Sequence, residues 1–198
     1  MIEELKKIDD KYIYIAEPVS EWLNLRDTST GKSLLETYYD DSKRWAYSFQ
    51  HCALVSRVEG LIEAIDRAPD DCIMISERSP LADKIFADCL FRKGLINDLE
   101  YKLYLRWFSF LMRRFGIQVH HVVYIDTDVD TCFDRIARRA REGEHVGKDY
   151  LTDLHEAHQL AVEELTGTIQ VTRVPTIEGD PTEIARRVHE EIERHRSM

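Results

Sequence analysis

Four short β-rich runs punctuate the chain: Tyr12–Ala16 (YIYIA), Cys72–Ser76 (CIMIS), Val119–Ile125 (VHHVVYI) and Val171–Ile177 (VTRVPTI). Their apolar character is close to continuous rather than alternating, which predicts strands covered on both faces. Helical spacing fills the intervals. Leu34 to Ala68 carries apolar residues at helical period and closes at Pro69. Asn97–Phe115, Asp130–Arg141, Tyr150–Leu165 and Pro181–His195 repeat the pattern. Asp180 precedes Pro181 as an N-cap, and proline suits the first helical turn. Strands alternating with long helices predict an α/β fold, a parallel sheet flanked by helices. Such sheets bind ligands beyond the carboxyl ends of their strands, so the residues there are the first candidates for chemistry.

Glu17-Pro18-Val19 follows the first strand, Glu77-Arg78-Ser79 the second and Asp126 the third. A carboxylate at such a place can accept a hydroxyl proton, and a second can ligate Mg²⁺. An arginine beside them steadies a carboxylate or a phosphate. The same charges also suit solvated strand-to-loop positions. A second cluster lies in DRIARRAREGE, where Arg135, Arg138 and Arg139 fall at i, i+3 and i+4 and Arg141 follows. Such a cationic face calls for an anionic neutraliser, either a phosphate chain or the nearby Asp134, Glu142 and Glu144. TSTGKS, residues 28–33, resembles the tail of a phosphate-binding GxxxxGK[ST] loop, but Arg26 stands where the first glycine is needed. It also lies ten residues beyond Ala16 rather than directly after a buried strand, so it reads as a loop preceding the helix that starts near Leu34. His155 and His158, at i and i+3, lack an evident third ligand and read as ordinary helix positions.

Charge and composition narrow the partners. The 198 residues carry 37 Asp plus Glu against 27 Lys plus Arg, a formal net charge of −10, which disfavours sequence-independent duplex binding. The chain is of single-domain length, with no internal repeat and no flexible linker. No apolar run approaches the ~20 residues that span a bilayer, so no membrane partner is expected. The four cysteines form no CxxC pair and read as reduced thiols, and MIEELKKIDDKYIYIAEP has no signal-peptide core; both point to the cytoplasm.

Taken in order, these residues resemble the deoxynucleoside kinase family, in particular its deoxycytidine and deoxyguanosine kinases. The likeness is carried by Glu17-Pro18-Val19 with Trp22, LLETYYDDSKRWAYSFQ ending at Gln50, Glu77-Arg78-Ser79 with Asp83, DRIARRAR, and YLTDLHEAH from Tyr150 to His158. The resemblance implies a P-loop NTPase-like fold and transfer of the ATP γ-phosphate to a deoxynucleoside 5′-hydroxyl. It casts Glu17 as the carboxylate that takes the hydroxyl proton, Arg78 as its partner and phosphate holder, and Glu77 as the Mg²⁺ ligand. Gln50 would read the base, with Trp22 and Phe49 lining it. Tyr39 and Glu144 would hold the sugar 3′-hydroxyl. Arg135, Arg139 and Arg141 would belong to a lid, residues 135–149, that closes over the phosphates. Gly179 and Asp180 would lie near the adenine. Arg57 and Asp83 match the Arg–Asp pair of the deoxycytidine and deoxyguanosine kinases, which favours deoxycytidine or a purine deoxynucleoside over thymidine. The resemblance also implies a homodimer.

The family opens with a strand, a GxxxxGK[ST] loop and a helix, and MIEELKKI resembles the end of that helix. The chain is therefore expected to be a single kinase-like domain, residues 1–198, truncated at its N-terminus and lacking the central strand. Three outcomes follow: a fragment of a working kinase, a P-loop-less paralogue that binds nucleosides or a partner without turnover, or a chain in which the TSTGKS loop substitutes for the missing cradle.

Overall fold

The computed structural model describes residues 1–140, 146–176 and 180–196. Helix α1 (Ile2–Ile8) leads into strand β1 (Ile13–Ile15), followed by α2 (Val19–Asn24), α3 (Leu34–Asp40) and α4 (Ser42–Arg67). Strand β2 (Met74–Ser76) precedes α5 (Pro80–Arg92) and α6 (Asp98–Phe115). Strand β3 (His121–Asp126), α7 (Val129–Arg139), α8 (Lys148–Leu165), β4 (Gln170–Pro175) and α9 (Pro181–Arg196) complete the chain. All four expected strands form, and all pairing between them is parallel.

The strands form two pairs, β1 with β2 and β3 with β4, and no ladder joins the pairs among the described residues. β1 aligns Ile13 with Met74 and Ile15 with Ser76, and one more bond, Glu77 N–H to the Ile15 carbonyl at 2.9 Å, extends the pairing past the strand end. The strands were expected to be covered on both faces. They are instead half-buried, with Val174 alone fully covered. Each strand leaves one edge, and so each pair two, outside the described ladders. Side-chain packing joins the pairs where hydrogen bonds do not. Leu5 of α1 and Ile184, Ala185 and Val188 of α9 form a core with Val174, against which Tyr14, Ile75, Val123 and Ile125 lie. Every strand contributes to it.

The helical expectations hold with three corrections. The single helix read over Leu34–Ala68 is two, split at Asp41, whose backbone leaves the helical region (φ −141°, ψ 73°). Its carboxylate accepts the Arg44 N–H at 3.1 Å, so a side-chain cap replaces a helical turn. Helices α2 and α5 were not anticipated. In α5 the start signal was present, since Pro80 occupies the first turn directly after Ser79. The other boundaries carry their expected chemistry. Asn97 and Glu100 form a reciprocal capping box on α6, and Gly116 ends that helix at φ 61°, where glycine has no Cβ to clash.

The TSTGKS segment is the start of α3. Ser33 is fully buried, accepts the Glu36 N–H at 3.2 Å and receives the Glu36 carboxylate on its own N–H at 2.7 Å. Lys32 is paired with Asp40. Ser33 is thus committed to the start of α3, and Lys32 reaches Asp40 at the end of that helix. Ser33→Ala is expected to lower the unfolding free energy by ~1 kcal/mol in denaturant titration, the cost of losing such a cap. An unchanged midpoint would show that the capping box contributes nothing.

Candidate functional site

The last rung of the β1·β2 ladder determines what meets beyond it. Ile15 sits opposite Ser76, so the two chains leave the pair side by side, carrying Glu17 on one and Glu77-Arg78 on the other. Helix α4 runs beneath them and raises Arg57 from its buried face. Helix α5 brings Asp83 up from its first turn. Arg57, 2% exposed, donates from Nε to Asp83 Oδ2 at 2.7 Å, from Nη1 to the Glu77 carbonyl at 3.1 Å and from Nη2 to Glu17 Oε1 at 3.0 Å. Arg78 Nη1 donates to the same Glu17 oxygen at 2.7 Å. Four sequence-distant groups thus form one charged cluster at the carboxyl end of the strand pair.

Burial pushes the Glu17 carboxyl up, but Arg78 and Arg57 outweigh it and hold the group below the ordinary glutamate range. Glu17 is therefore an ionised acceptor at neutral pH. Burial pushes Asp83 above its usual range, against the pull of Arg57. Arg57 is held above the ordinary arginine value, because its two carboxylate partners outweigh its own desolvation. Arg78 adopts φ 63°, a left-handed conformation costly for a residue with a side chain. Its guanidinium lies 4.8 Å from the Phe86 ring centroid as well as on Glu17, so two contacts fix the strained backbone.

Next to this cluster lies an aromatic chamber. Gln50, 3% exposed, donates from Nε2 to the Asp83 carbonyl at 3.1 Å, which places its amide beside the Arg57–Asp83 pair. Phe49 stacks on Tyr38 (4.6 Å, 11°) and meets Trp22 edge-on (5.3 Å, 77°). Trp22 donates its indole N–H to Ser56 at 3.0 Å and is itself part of the buried core with Leu35, Ala53 and Leu90. Tyr39 tilts against Tyr38 at 5.2 Å, and Tyr150 of α8 shares a side-chain hydrogen bond with Tyr38. The rings of Phe49, Tyr38 and Trp22 lie at one end, the Gln50 amide follows them, and the Arg57–Asp83 pair joins that amide directly to Glu17 and Arg78. That set of groups suits a planar polar ring joined to a hydroxyl-bearing body.

Glu77 is exposed, and among the described residues its carboxylate has no ion pair or hydrogen bond. No cluster of three or more His, Cys, Asp or Glu that could hold a metal occurs among them. A lone, uncommitted carboxylate has the chemistry of a Mg²⁺ ligand, since Mg²⁺ takes one or two protein carboxylates and completes its shell with water and phosphate. Arg135 and Arg138 stand exposed on α7, a helix about 16 Å long, and neither is tied to the Glu17 group among the described residues. Arg139 lies on the same helix. Asp180 accepts the Thr182 N–H at 3.0 Å and caps α9. Arg141, Glu144 and Gly179, and with the first two the middle of the proposed 135–149 lid, lie outside the described residues.

Sequence reasoning missed Tyr38 and Tyr150, and it missed the contact between Arg57 and Glu17. YYD and the YLTDLHEAH run held the tyrosine signals; nothing in spacing indicated the third. His158 packs against Phe86 and Tyr124 and donates from Nδ1 to the Leu154 carbonyl at 2.8 Å, and burial lowers its pKa.

Known proteins resemble the chain along most of its length. The family model described as deoxynucleoside kinase matches residues 1–196. A deoxycytidine kinase 2 of Gallus gallus is 31% identical over 184 residues, covering 84% of this chain and 69% of that protein. A mitochondrial deoxyguanosine kinase of Xenopus laevis is 32% identical over 165 residues, covering 75% of this chain and 62% of that protein. A solved deoxyadenosine kinase from M. mycoides with bound dCTP superposes with a TM-score of 0.79 at 20% identity, over 97% of this chain and 90% of that one, and shares the fold. The chain belongs to the deoxynucleoside kinase family, and its fold is the P-loop NTPase-like fold of helices flanking parallel strands. It spans 61% to 69% of the length of the first curated relatives it matches. No described helix is long and apolar enough to cross a membrane.

Arg57→Met strands Asp83 as an unpaired buried carboxylate, and it is expected to cost ~3–5 kcal/mol in chemical denaturation. Adding Asp83→Leu should recover most of that loss, because an apolar pair replaces the ions. A double variant no more stable than the single one would show that Asp83 is not the stranded charge.

Proposed function

We propose that the protein is a deoxynucleoside kinase, transferring the γ-phosphate of ATP to the 5′-hydroxyl of deoxycytidine or a purine deoxynucleoside. The observation that carries this reading is the run from the rings of Phe49, Tyr38 and Trp22 through Gln50 and the Arg57–Asp83 pair to Glu17 and Arg78. A stacking wall, an amide able to read a base edge and an ionised acceptor are thus joined in one connected set of groups. Membership of the family and relatives named deoxycytidine and deoxyguanosine kinase support it.

Each residue has a defined task. Gln50 presents a donor and an acceptor to the base edge. The buried Arg57–Asp83 pair favours an amino-bearing base and leaves little apolar space for a 5-methyl group. Trp22 and Phe49 line the ring, and Tyr39 with Glu144 holds the 3′-hydroxyl. Glu17, kept ionised by its two arginines, accepts the 5′-hydroxyl proton as that oxygen attacks phosphorus. Arg78 stays on Glu17 and faces the incoming phosphoryl group. Glu77 would hold Mg²⁺, which supplies charge neutralisation for the phosphates. Arg135, Arg139 and Arg141 add positive charge from the lid, and Asp180 with Gly179 borders the adenine. Positioning and charge dominate such reactions.

The test is calorimetric titration of this chain with deoxycytidine, deoxyguanosine, deoxyadenosine and thymidine, paired with ATP- and Mg²⁺-dependent turnover by the natural gene product. The first three are expected to bind more tightly than thymidine. Glu17→Gln is expected to lower kcat by ~10²–10⁴ and to leave nucleoside affinity within a few-fold. Binding of none of the four would overturn the reading.

We also propose that the protein is a homodimer through α6. Leu103, Trp107 and Phe110 expose 39%, 45% and 47% of their surfaces in one stripe, which His51 of α4 continues through its ring contact with Trp107 at 5.7 Å. An apolar stripe on a helix of this length suits self-association with a second copy about a two-fold axis. Light scattering is expected to give twice the 23.3 kDa chain mass, and Trp107→Glu a monomer with an unchanged melt. A monomeric unsubstituted protein would end the proposal.

A further inference from the structure

Both arginines bond the same atom. Arg57 Nη2 and Arg78 Nη1 donate to Glu17 Oε1, at 3.0 and 2.7 Å, and no described residue donates to Oε2. Two guanidinium groups from two different elements therefore fix the rotation of the carboxylate. One oxygen is occupied from α4 and from the turn after β2; the other keeps its lone pairs. Arg57 is in turn held by Asp83 at 2.7 Å and by the Glu77 carbonyl at 3.1 Å, and it is 2% exposed. Its guanidinium has no room to swing without abandoning a buried acceptor.

We infer that Arg57 is a positioning residue for Glu17: it pins Oε1, leaves Oε2 as the oxygen that meets the nucleoside 5′-hydroxyl, and ties that orientation to Asp83 at the base end of the pocket. The inference rests on the kinase reading and deepens it. Arg57 then has two duties. It shapes which base is accepted through Asp83, and it sets the geometry of proton acceptance through its direct bond to Glu17. A near-attack arrangement depends on such pre-set angles, and an acceptor free to rotate would offer either oxygen and lose part of that advantage. The charged groups facing Glu17 agree in sign with this: Arg78 and Arg57 hold its carboxyl down against burial, and Asp83 lies behind Arg57 as the opposing charge.

The first readout needs no turnover. Titration of the Glu17 carboxyl by carbon NMR in the ligand-free chain, assigned by the resonance lost in Glu17→Gln, should show ~tenfold weaker acid dissociation in Arg57→Met. The paired variant Arg57→Met with Asp83→Leu guards against simple unfolding, and in it the titration should move the same way. A titration unmoved in a variant that retains its cooperative melt overturns the inference, because a residue that merely packs the pocket would leave Glu17 alone. The second readout is the affinity difference between deoxycytidine and its 5′-deoxy analogue. The unsubstituted chain should prefer deoxycytidine several-fold, and the paired variant should lose that preference. A preference retained in the paired variant overturns the positioning role. Failure of the unsubstituted chain to bind either compound speaks against the kinase reading instead, and leaves the NMR result to decide the contact.

Discussion

A guanidinium in the interior of a protein is tolerable only if its donors are met, because removing a charge from water costs several kcal/mol even after the surroundings relax. Arg57 meets that condition with acceptors from three places: Asp83 on α5, the Glu77 carbonyl after β2 and Glu17 after β1. Much of the local architecture follows. Helix α4 must be long enough to pass beneath β1, α5 must begin immediately after Glu77-Arg78-Ser79, and β1 must lie beside β2 in the observed register. A one-residue slip would turn every side chain of the strand to its other face and displace Glu17 from the guanidinium. The ion cluster and the ladder therefore constrain each other.

Arg78 shows what that constraint sustains. A left-handed conformation at a residue with a long side chain costs of order 1–3 kcal/mol and persists where surroundings over-determine it. Here the Glu17 carboxylate and the Phe86 face supply the determination. The strained turn points the guanidinium back across the strand end, onto the group that β1 delivers. The charged cluster that Arg78 joins thus supplies the contacts that hold its backbone.

Periodicity was enough to locate every strand and most helices because each is either a dense β-branched run or a long amphipathic repeat. It failed where local chemistry interrupts a repeat. The pattern from Leu34 to Ala68 passes unbroken through Asp41, yet an aspartate that can accept an N–H three residues on ends one helix and starts another. Helix α5 mixes Asp83, Lys84 and Asp88 among its apolar positions, since one of its faces serves an ion pair rather than a core. The half-buried strands were unreadable for a different reason: an apolar run states what a strand can tolerate, while its coverage depends on neighbours. In the site, residue types at strand ends identified Glu17, Glu77 and Arg78. The bond from Arg57 to Glu17 crosses 40 residues and depends on a helix passing under a sheet, which no spacing encodes.

The charged cluster and its rings belong to the β1·β2 half, with Tyr150 of α8 the exception, whereas the cationic helix α7 follows β3. A phosphoryl transfer between them would need the two halves in fixed relation, since such catalysis is mostly placement. Beyond the shared core at α1 and α9, a chain of stacked groups supplies a direct tie. Arg78 covers Phe86; Phe86 meets His158 edge-on at 5.5 Å; His158 stacks toward Tyr124 at 6.4 Å; Arg173 covers Tyr124 at 5.6 Å and reaches Asp126 at 3.5 Å. Gln159 of α8 donates to the same Asp126 at 3.0 Å. Each link is weak alone, ~0.5–1.5 kcal/mol for an aromatic pair. In series they connect Arg78 to the ends of β3 and β4 through α5 and α8. A displacement of α8 is therefore resisted at both ends of that run of contacts, at Phe86 beneath Arg78 on one side and at Asp126 on the other.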